Sequence, residues 1–274
     1  MQQATPPHLH IVITGASSGI GQALARAYAR RYGAHCTLGL IGRKQAALQT
    51  LQSEIRTAHG SQVHCYTADV RDAERMQAIA QTWLAEVGTP HIVIANAGVS
   101  RGTLTEYHED IAAFQAVFDT NVMGLVHTFQ PFITAMKTAA GQGQPAQLVG
   151  IASVAGIRGL PGSAAYSASK AAAITYLESL RVEMQLHAIG VTTISPGYIR
   201  TPMTDINTYT MPFLMDADLF AEKAVKTIAN GRRYTVIPWQ MAIVARLLRL
   251  LPPILWDTIM KKAPHKARLS DHNE

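Results

Sequence analysis

Along the chain, short apolar runs alternate with longer stretches in which apolar residues recur at helical spacing. The short runs predict strands at Leu9 to Ile13, His35 to Ile41, Val63 to Thr67, His91 to Ala95, Gln147 to Ala152, Val191 to Ile194 and Tyr234 to Ile237. The intervening periodicity predicts helices over Ile20 to Tyr32, Lys44 to His59, Ala73 to Val87, Ile111 to Lys137, Ala164 to His187 and Leu219 to Asn230. Strand and helix alternating in this way imply an α/β domain whose parallel sheet is doubly wound, with helices on both faces. A ligand is then expected beyond the carboxyl ends of the strands, where the winding reverses.

The pattern changes after residue 240. On a helical wheel of Met241 to Leu251, Arg246 and Arg249 share a narrow face, while Ile243, Val244, Leu247, Leu248, Leu250 and Leu251 take the rest. Pro252-Pro253 ends that helix, and Ile254 to Met260 forms a second apolar turn carrying Trp256. The formal net charge of the chain is +6, and half of it lies in residues 241–274, where Arg246, Arg249, Lys261, Lys262, Lys266 and Arg268 face only Asp257, Asp271 and Glu274. This reads as a single domain, 1–240, followed by an amphipathic basic extension, 241–274. The extension either caps the substrate pocket or a subunit interface, or lies in the interface of an anionic membrane, with contact through 241–268. It is too short to span one.

At 274 residues, 48% hydrophobic and 15% charged, the chain suits one sizeable core better than two small ones. The polar, proline-containing start, Met1 to His10, precedes only Ile11-Val12-Ile13, so neither a signal peptide nor a membrane anchor is expected there. Cys36 and Cys65 fall in strands without metal or redox spacing, which fits buried free thiols and a cytoplasmic setting. Outside the tail the charge is near balance, with no interleaving of aromatic and basic residues, which argues against nucleic acid as a partner.

Candidate chemistry begins with Tyr166 and Lys170. Four residues apart on a helix, they share a face, and a lysine cation there would lower the phenol's pKa. Ser153 follows an apolar run upstream. The first strand runs into Thr14-Gly15-Ala16-Ser17-Ser18-Gly19-Ile20-Gly21 and then a helix, which suits a pyrophosphate held against helix-end amides.

With Asp69-Val70, Asn96-Ala97-Gly98, Asn121, Pro196-Gly197 and Thr201 added, in this order, residues 9–240 resemble the short-chain dehydrogenase/reductase family. The resemblance implies a Rossmann-type sheet of seven parallel strands and NAD(P)-dependent interconversion of alcohols and carbonyls. It also implies homodimers or homotetramers packed through the two long helices. In its terms Tyr166 exchanges the proton, Lys170 assists it and holds the nicotinamide ribose, Ser153 donates to the substrate oxygen, and Asn121 holds a water behind the lysine. Gly15, Ser17, Ser18, Gly19, Ile20 and Gly21 would take the pyrophosphate and Asp69 the adenine, with Val70 beside it. Asn96, Ala97 and Gly98 would lie under the cofactor, while Pro196, Gly197, Ile199 and Thr201 would reach its carboxamide and phosphates.

Gly42 stands where an acidic residue would bind the ribose hydroxyls of NAD, and Arg43 follows, so NADP(H) is expected in preference to NAD(H). The Met-rich segment from Pro202 to Met215 occupies the place of the family's substrate lid. With Met203, Val154, Leu160 and Tyr198, it favours a lipophilic ketone. The competing class is a non-catalytic dinucleotide sensor or scaffold on the same fold.

Overall fold

The computed structural model describes residues 8–207, 209–261, 266 and 268. The expectations that touch residues 1–7, Lys262, Asp271 and Glu274, and one position of the lid, Thr208, lie outside the described residues. The strands are β1 (Leu9–Thr14), β2 (Cys36–Gly42), β3 (Gln62–Thr67), β4 (Ile92–Ala95), β5 (Gln147–Ile151), β6 (Gly190–Pro196), β7 (Ile199–Arg200), β8 (Met215–Asp216) and β9 (Tyr234–Ile237). All but β7 and β8 join one parallel seven-stranded sheet in the order β3-β2-β1-β4-β5-β6-β9. This is the doubly wound, Rossmann-type arrangement, and its winding reverses between β1 and β4.

The helices are α1 (Gly19–Tyr32), α2 (Gln45–His59), α3 (Ala73–Glu86), α4 (Asp110–Phe118), α5 (Gly124–Gly141), α6 (Ala164–Gln185), α7 (Ala217–Ala229), α8 (Trp239–Leu250) and α9 (Pro253–Met260). Alternation along the strands divides the core. Ile11, Ile13, Leu38 and Leu40 point to one face and pack with Leu24 of α1, Leu51 of α2 and Phe220 of α7. Val12, Ile41 and Val93 point to the other and meet Trp83 of α3, Phe129 of α5 and Leu177 of α6. Burying each such side chain contributes about 1.5–3 kcal/mol, so the two apolar faces fix the layer order.

One expected element is corrected. The helix read as Ile111 to Lys137 is interrupted by a π-helical turn, Asp119–Met123, between α4 and α5. The turn admits one extra residue and carries the buried Asn121 amide inward, where it bonds both Val99 and Ser169. Helical periodicity does not register such an insertion. At the other end Leu251, held extended ahead of Pro252 (φ −63°, ψ 129°), closes α8, and Pro253 opens α9.

Candidate active site

A cleft opens at the carboxyl ends of β1 and β4, where neighbouring crossovers run in opposite directions. Its floor is the turn between β1 and α1. Gly15 adopts φ +68°, and a Cβ there would lie 2.8 Å from the Ala97 Cα, so the two loops meet only because no side chain intervenes. Ser17, Ser18, Gly19 and Ile20 line the cleft along the start of α1. The first turn of a helix leaves its leading amides without helical partners, which suits an anionic pyrophosphate. Gly21 does not line the cleft; it sits beneath, against the Gly15 carbonyl and the Asn96 amide.

Two asparagines hold the walls. Asn96 donates from Nδ2 to the carbonyl oxygens of Thr14, at 3.0 Å, and Gly15, at 3.4 Å, and thereby ties the glycine turn to the end of β4. The Asn121 Oδ1 accepts from the Val99 N–H at 2.8 Å, while its Nδ2 donates to the Val99 carbonyl and the Ser169 hydroxyl, each at 2.9 Å. Asn121 therefore stands behind the cleft wall and clamps the loop after β4 to α6. Ala97, Gly98 and Val99 of that loop line the cleft.

Ser153, Tyr166 and Lys170 come together at its inner end. Ser153 lies two residues beyond β5 and caps a short 3-10 turn, its Oγ accepting from the Ala155 N–H at 3.1 Å. Its hydroxyl shares the cleft with the Tyr166 phenol and tends to lower that phenol's pKa. Lys170 is buried on α6, one turn after Tyr166, and its Nζ donates to the Ile151 carbonyl at 2.9 Å. The expected depression of the phenol by this lysine is corrected. Burial pushes Tyr166 above its ordinary value, with the Ser153 hydroxyl pulling the other way. Burial likewise brings Lys170 down to about 8. Its ammonium lies 5.9 Å from the centre of the tyrosine ring and is turned to a backbone carbonyl.

The adenosine end is set by β2 and β3. A Cβ on Gly42 would come within 3.0 Å of the Ser17 Oγ, so this position leaves little room for the carboxylate that would hold a ribose diol. Arg43 extends beside it, 64% exposed and 4.0 Å from the Asp69 carboxylate. Arg71 grips that carboxylate at 2.8 and 3.1 Å and holds it below its usual range, with Arg43 adding to the effect. Asp69 and Val70 both line the cleft, as do Pro196, Gly197, Ile199, Thr201 and Met203 on the opposite wall.

Three candidate substrate residues fall outside this cleft. Val154 lies in a single 3-10 turn after Ser153, Leu160 is fixed by a bond from its N–H to the Ser167 hydroxyl, and Tyr198 packs edge-on against Tyr209 at 6.4 Å. Tyr209 is electrostatically coupled to Tyr166, a proximity that spacing along the chain did not reveal. Thr120, Pro202 and Thr204 also line the cleft.

The tail returns to the cleft from far along the chain. The Lys266 ammonium donates to the Ser100 hydroxyl at 3.1 Å and reaches the Met203 carbonyl at 3.5 Å, so it links the two walls. Burial and the nearby Arg101 bring this lysine down to about 8. Arg268 bonds both Glu109 and Asp110 at the start of α4 and stacks 3.6 Å above the Tyr107 ring.

The profile of the short chain dehydrogenase family matches residues 9–210. An uncharacterized oxidoreductase of Myxococcus xanthus is 36% identical over 251 residues, which is 92% of this chain and 96% of that protein. A short chain dehydrogenase/reductase from Burkholderia phymatum in complex with NAD superposes with a TM-score of 0.78 at 25% identity, over 96% of this chain and 99% of that one. An alcohol dehydrogenase from the archaeon Thermococcus sibiricus, complexed with 5-hydroxy-NADP, gives 0.73 at 25% identity over 84% of this chain and 95% of its own.

Proposed function

Because the chain belongs to the short-chain dehydrogenase family of oxidoreductases, with a nicotinamide dinucleotide as its cofactor, we propose that it interconverts a lipophilic ketone and a secondary alcohol with NADP(H). The observation that carries this reading is the meeting of Ser153, Tyr166 and the buried Lys170 in the same cleft as the glycine turn.

The bound dinucleotide supplies the hydride. The chain's own residues manage the oxygen. The Ser153 hydroxyl orients the substrate carbonyl, and the Tyr166 phenol gives its proton to that oxygen as negative charge develops there. In the oxidative direction the same phenol oxygen takes the proton back. Protonated Lys170 favours the phenolate left after transfer, and Asn121 keeps the loop carrying Gly98 and Val99 against the cleft.

Three features support the finer choices. The lack of room for a carboxylate at Gly42, with the exposed Arg43 beside it, favours a 2'-phosphate over a bare diol. Met203 brings an apolar, adaptable side chain to the cleft wall, which favours a lipophilic substrate. The outer faces of α4 and α6 leave Ile111 and Val182 exposed, which fits a homodimer or homotetramer built through the long helices.

The test is oxidation of NADPH across a panel of ketones graded in chain length and ring content. Tyr166→Phe is expected to cut turnover roughly 10²–10⁴-fold while dinucleotide binding persists. Unchanged turnover in that variant overturns the assignment of Tyr166. Dinucleotide binding without turnover of any ketone by the wild-type chain would instead establish a non-catalytic sensor.

A further inference from the structure

A second cavity lies on the far edge of the sheet, among α6, β9 and α8, where Arg181, Arg232, Arg233, Arg246 and Arg249 converge. Among the described residues the one carboxylate lining it is Glu178, 3.9 Å from Arg181. The groove is thus a concentration of positive charge well beyond its own counter-ion. It has no part in the chemistry proposed for the cleft.

Beside it runs an apolar stripe. On α8, Trp239, Ile243, Leu247 and Leu250 stand on the outward face at helical spacing, with exposures from 47% for Ile243 to 79% for Leu250. Arg246 and Arg249 flank them on the groove side, while Met241 and Ala245 turn to the core. The stripe continues on α9, where Ile254 is 80% exposed and Leu255 and Ile259 more than half.

This surface is preformed rather than a frayed end. Arg158 donates to the carbonyl oxygens of Leu248 and Leu251 at 2.7 Å and lies 4.7 Å from the centre of the Trp256 ring. The elbow between α8 and α9 is therefore anchored to the loop that follows Ser153.

We propose that the outer face of α8 and α9, with the adjoining arginine groove, docks the protein onto an anionic lipid bilayer. The stripe enters the boundary between headgroups and acyl chains, and the arginines take the lipid phosphates. One observation favours this occupant over a second copy of the chain. A two-fold contact on this face would bring one arginine row toward another. Among the described residues no helix is long and apolar enough to cross a membrane, so the protein lies on the surface. The inference is independent of the reaction in the cleft.

The test is co-sedimentation of the full chain with vesicles of phosphatidylcholine alone or mixed with phosphatidylglycerol, at low and high salt. The wild-type chain is expected to bind the anionic vesicles and to leave them in high salt. Arg232→Glu with Arg246→Glu, and separately Leu247→Ser with Leu250→Ser, should each weaken binding about tenfold or more. All four positions are on the surface, and unchanged ketone turnover checks that the fold is intact. In the wild-type chain, lipids brominated in the acyl chain should quench the exposed Trp239, whereas Trp83 is fully buried and should stay silent.

Absence of wild-type binding overturns the proposal. So does binding that either double variant leaves unchanged, since simple electrostatic adsorption would survive loss of the leucines. A native assembly that the leucine variant alone dissociates, without vesicles, would assign this face to a contact between copies.

Discussion

Burial moves Tyr166 and Lys170 in opposite directions, Tyr166 up and Lys170 down to about 8, so each is pushed toward its neutral form. Below about pH 8 the folded chain keeps a buried ammonium at a desolvation cost. Above it, Lys170 releases its proton before an unfolded lysine would, and its contribution to stability becomes more favourable with rising pH until the unfolded lysine also titrates, near about 10.4. Catalysis runs the other way. Protonated Lys170 assists the phenolate, so the reductive rate should fall as pH rises through about 8, as read in a profile of kcat/KM at constant ionic strength. A flat profile through that range would remove Lys170 from the proton-delivery role. At the other end of the cleft, a cation facing phosphate is worth about 1.5–3 kcal/mol, so Arg43→Ala should raise KM for NADPH about tenfold or more and leave that for NADH nearly unchanged. Equal effects on both cofactors would make Arg43 an ordinary surface charge. The types and order of these residues were legible in the sequence; the direction of the Tyr166 shift was not, because it depends on how much wall the fold places around the phenol.

At the scale of elements, the π turn between α4 and α5 does what neither helix does alone. It turns Asn121 inward so that one side chain holds both the loop after β4 and the N-terminal part of α6. A continuous helix would carry the amide past those partners. The outer faces of α4 and α6 matter in another way, since Ile111 and Val182 are each more than half exposed in the monomer. Placing a carboxylate at both positions, Ile111→Asp with Val182→Asp, should yield a monomer by sedimentation velocity if these helices form the subunit contact. A variant that keeps the wild-type mass would move that contact elsewhere. Strands and helices were legible because alternation and helical spacing are local; the π turn was hidden because its cause, the Val99 and Ser169 partners, lies outside the helix.

The whole molecule adds a tie that no element contains. Lys266 meets Ser100 across 166 positions of sequence, and Arg268 meets Asp110 across 158. Together they hold Lys266 and Arg268 against the segment after β4, with Lys266 also reaching the cleft wall at Met203. Removing the Arg268 clamp on Glu109, Asp110 and Tyr107 should loosen this strap. Arg268→Ala is therefore expected to speed dissociation of bound dinucleotide several-fold, measured by stopped-flow fluorescence of the reduced nicotinamide. An unchanged dissociation rate would show that the tail does not gate the cleft.

By itself the sequence determined the α/β class and the parallel winding, because periodicity is a property of neighbouring positions; a four-residue spacing marked Tyr166 and Lys170 as candidates, and the family resemblance added Ser153. It also marked the end of the chain as basic and amphipathic. Only the tertiary structure decided where that character acts. It placed Arg181, Arg232 and Arg233 beside Arg246 and Arg249, set Gly42 against Ser17, and laid Lys266 across the cleft. Each of these depends on crossovers that bring distant segments together, and no local pattern of residues encodes such a meeting.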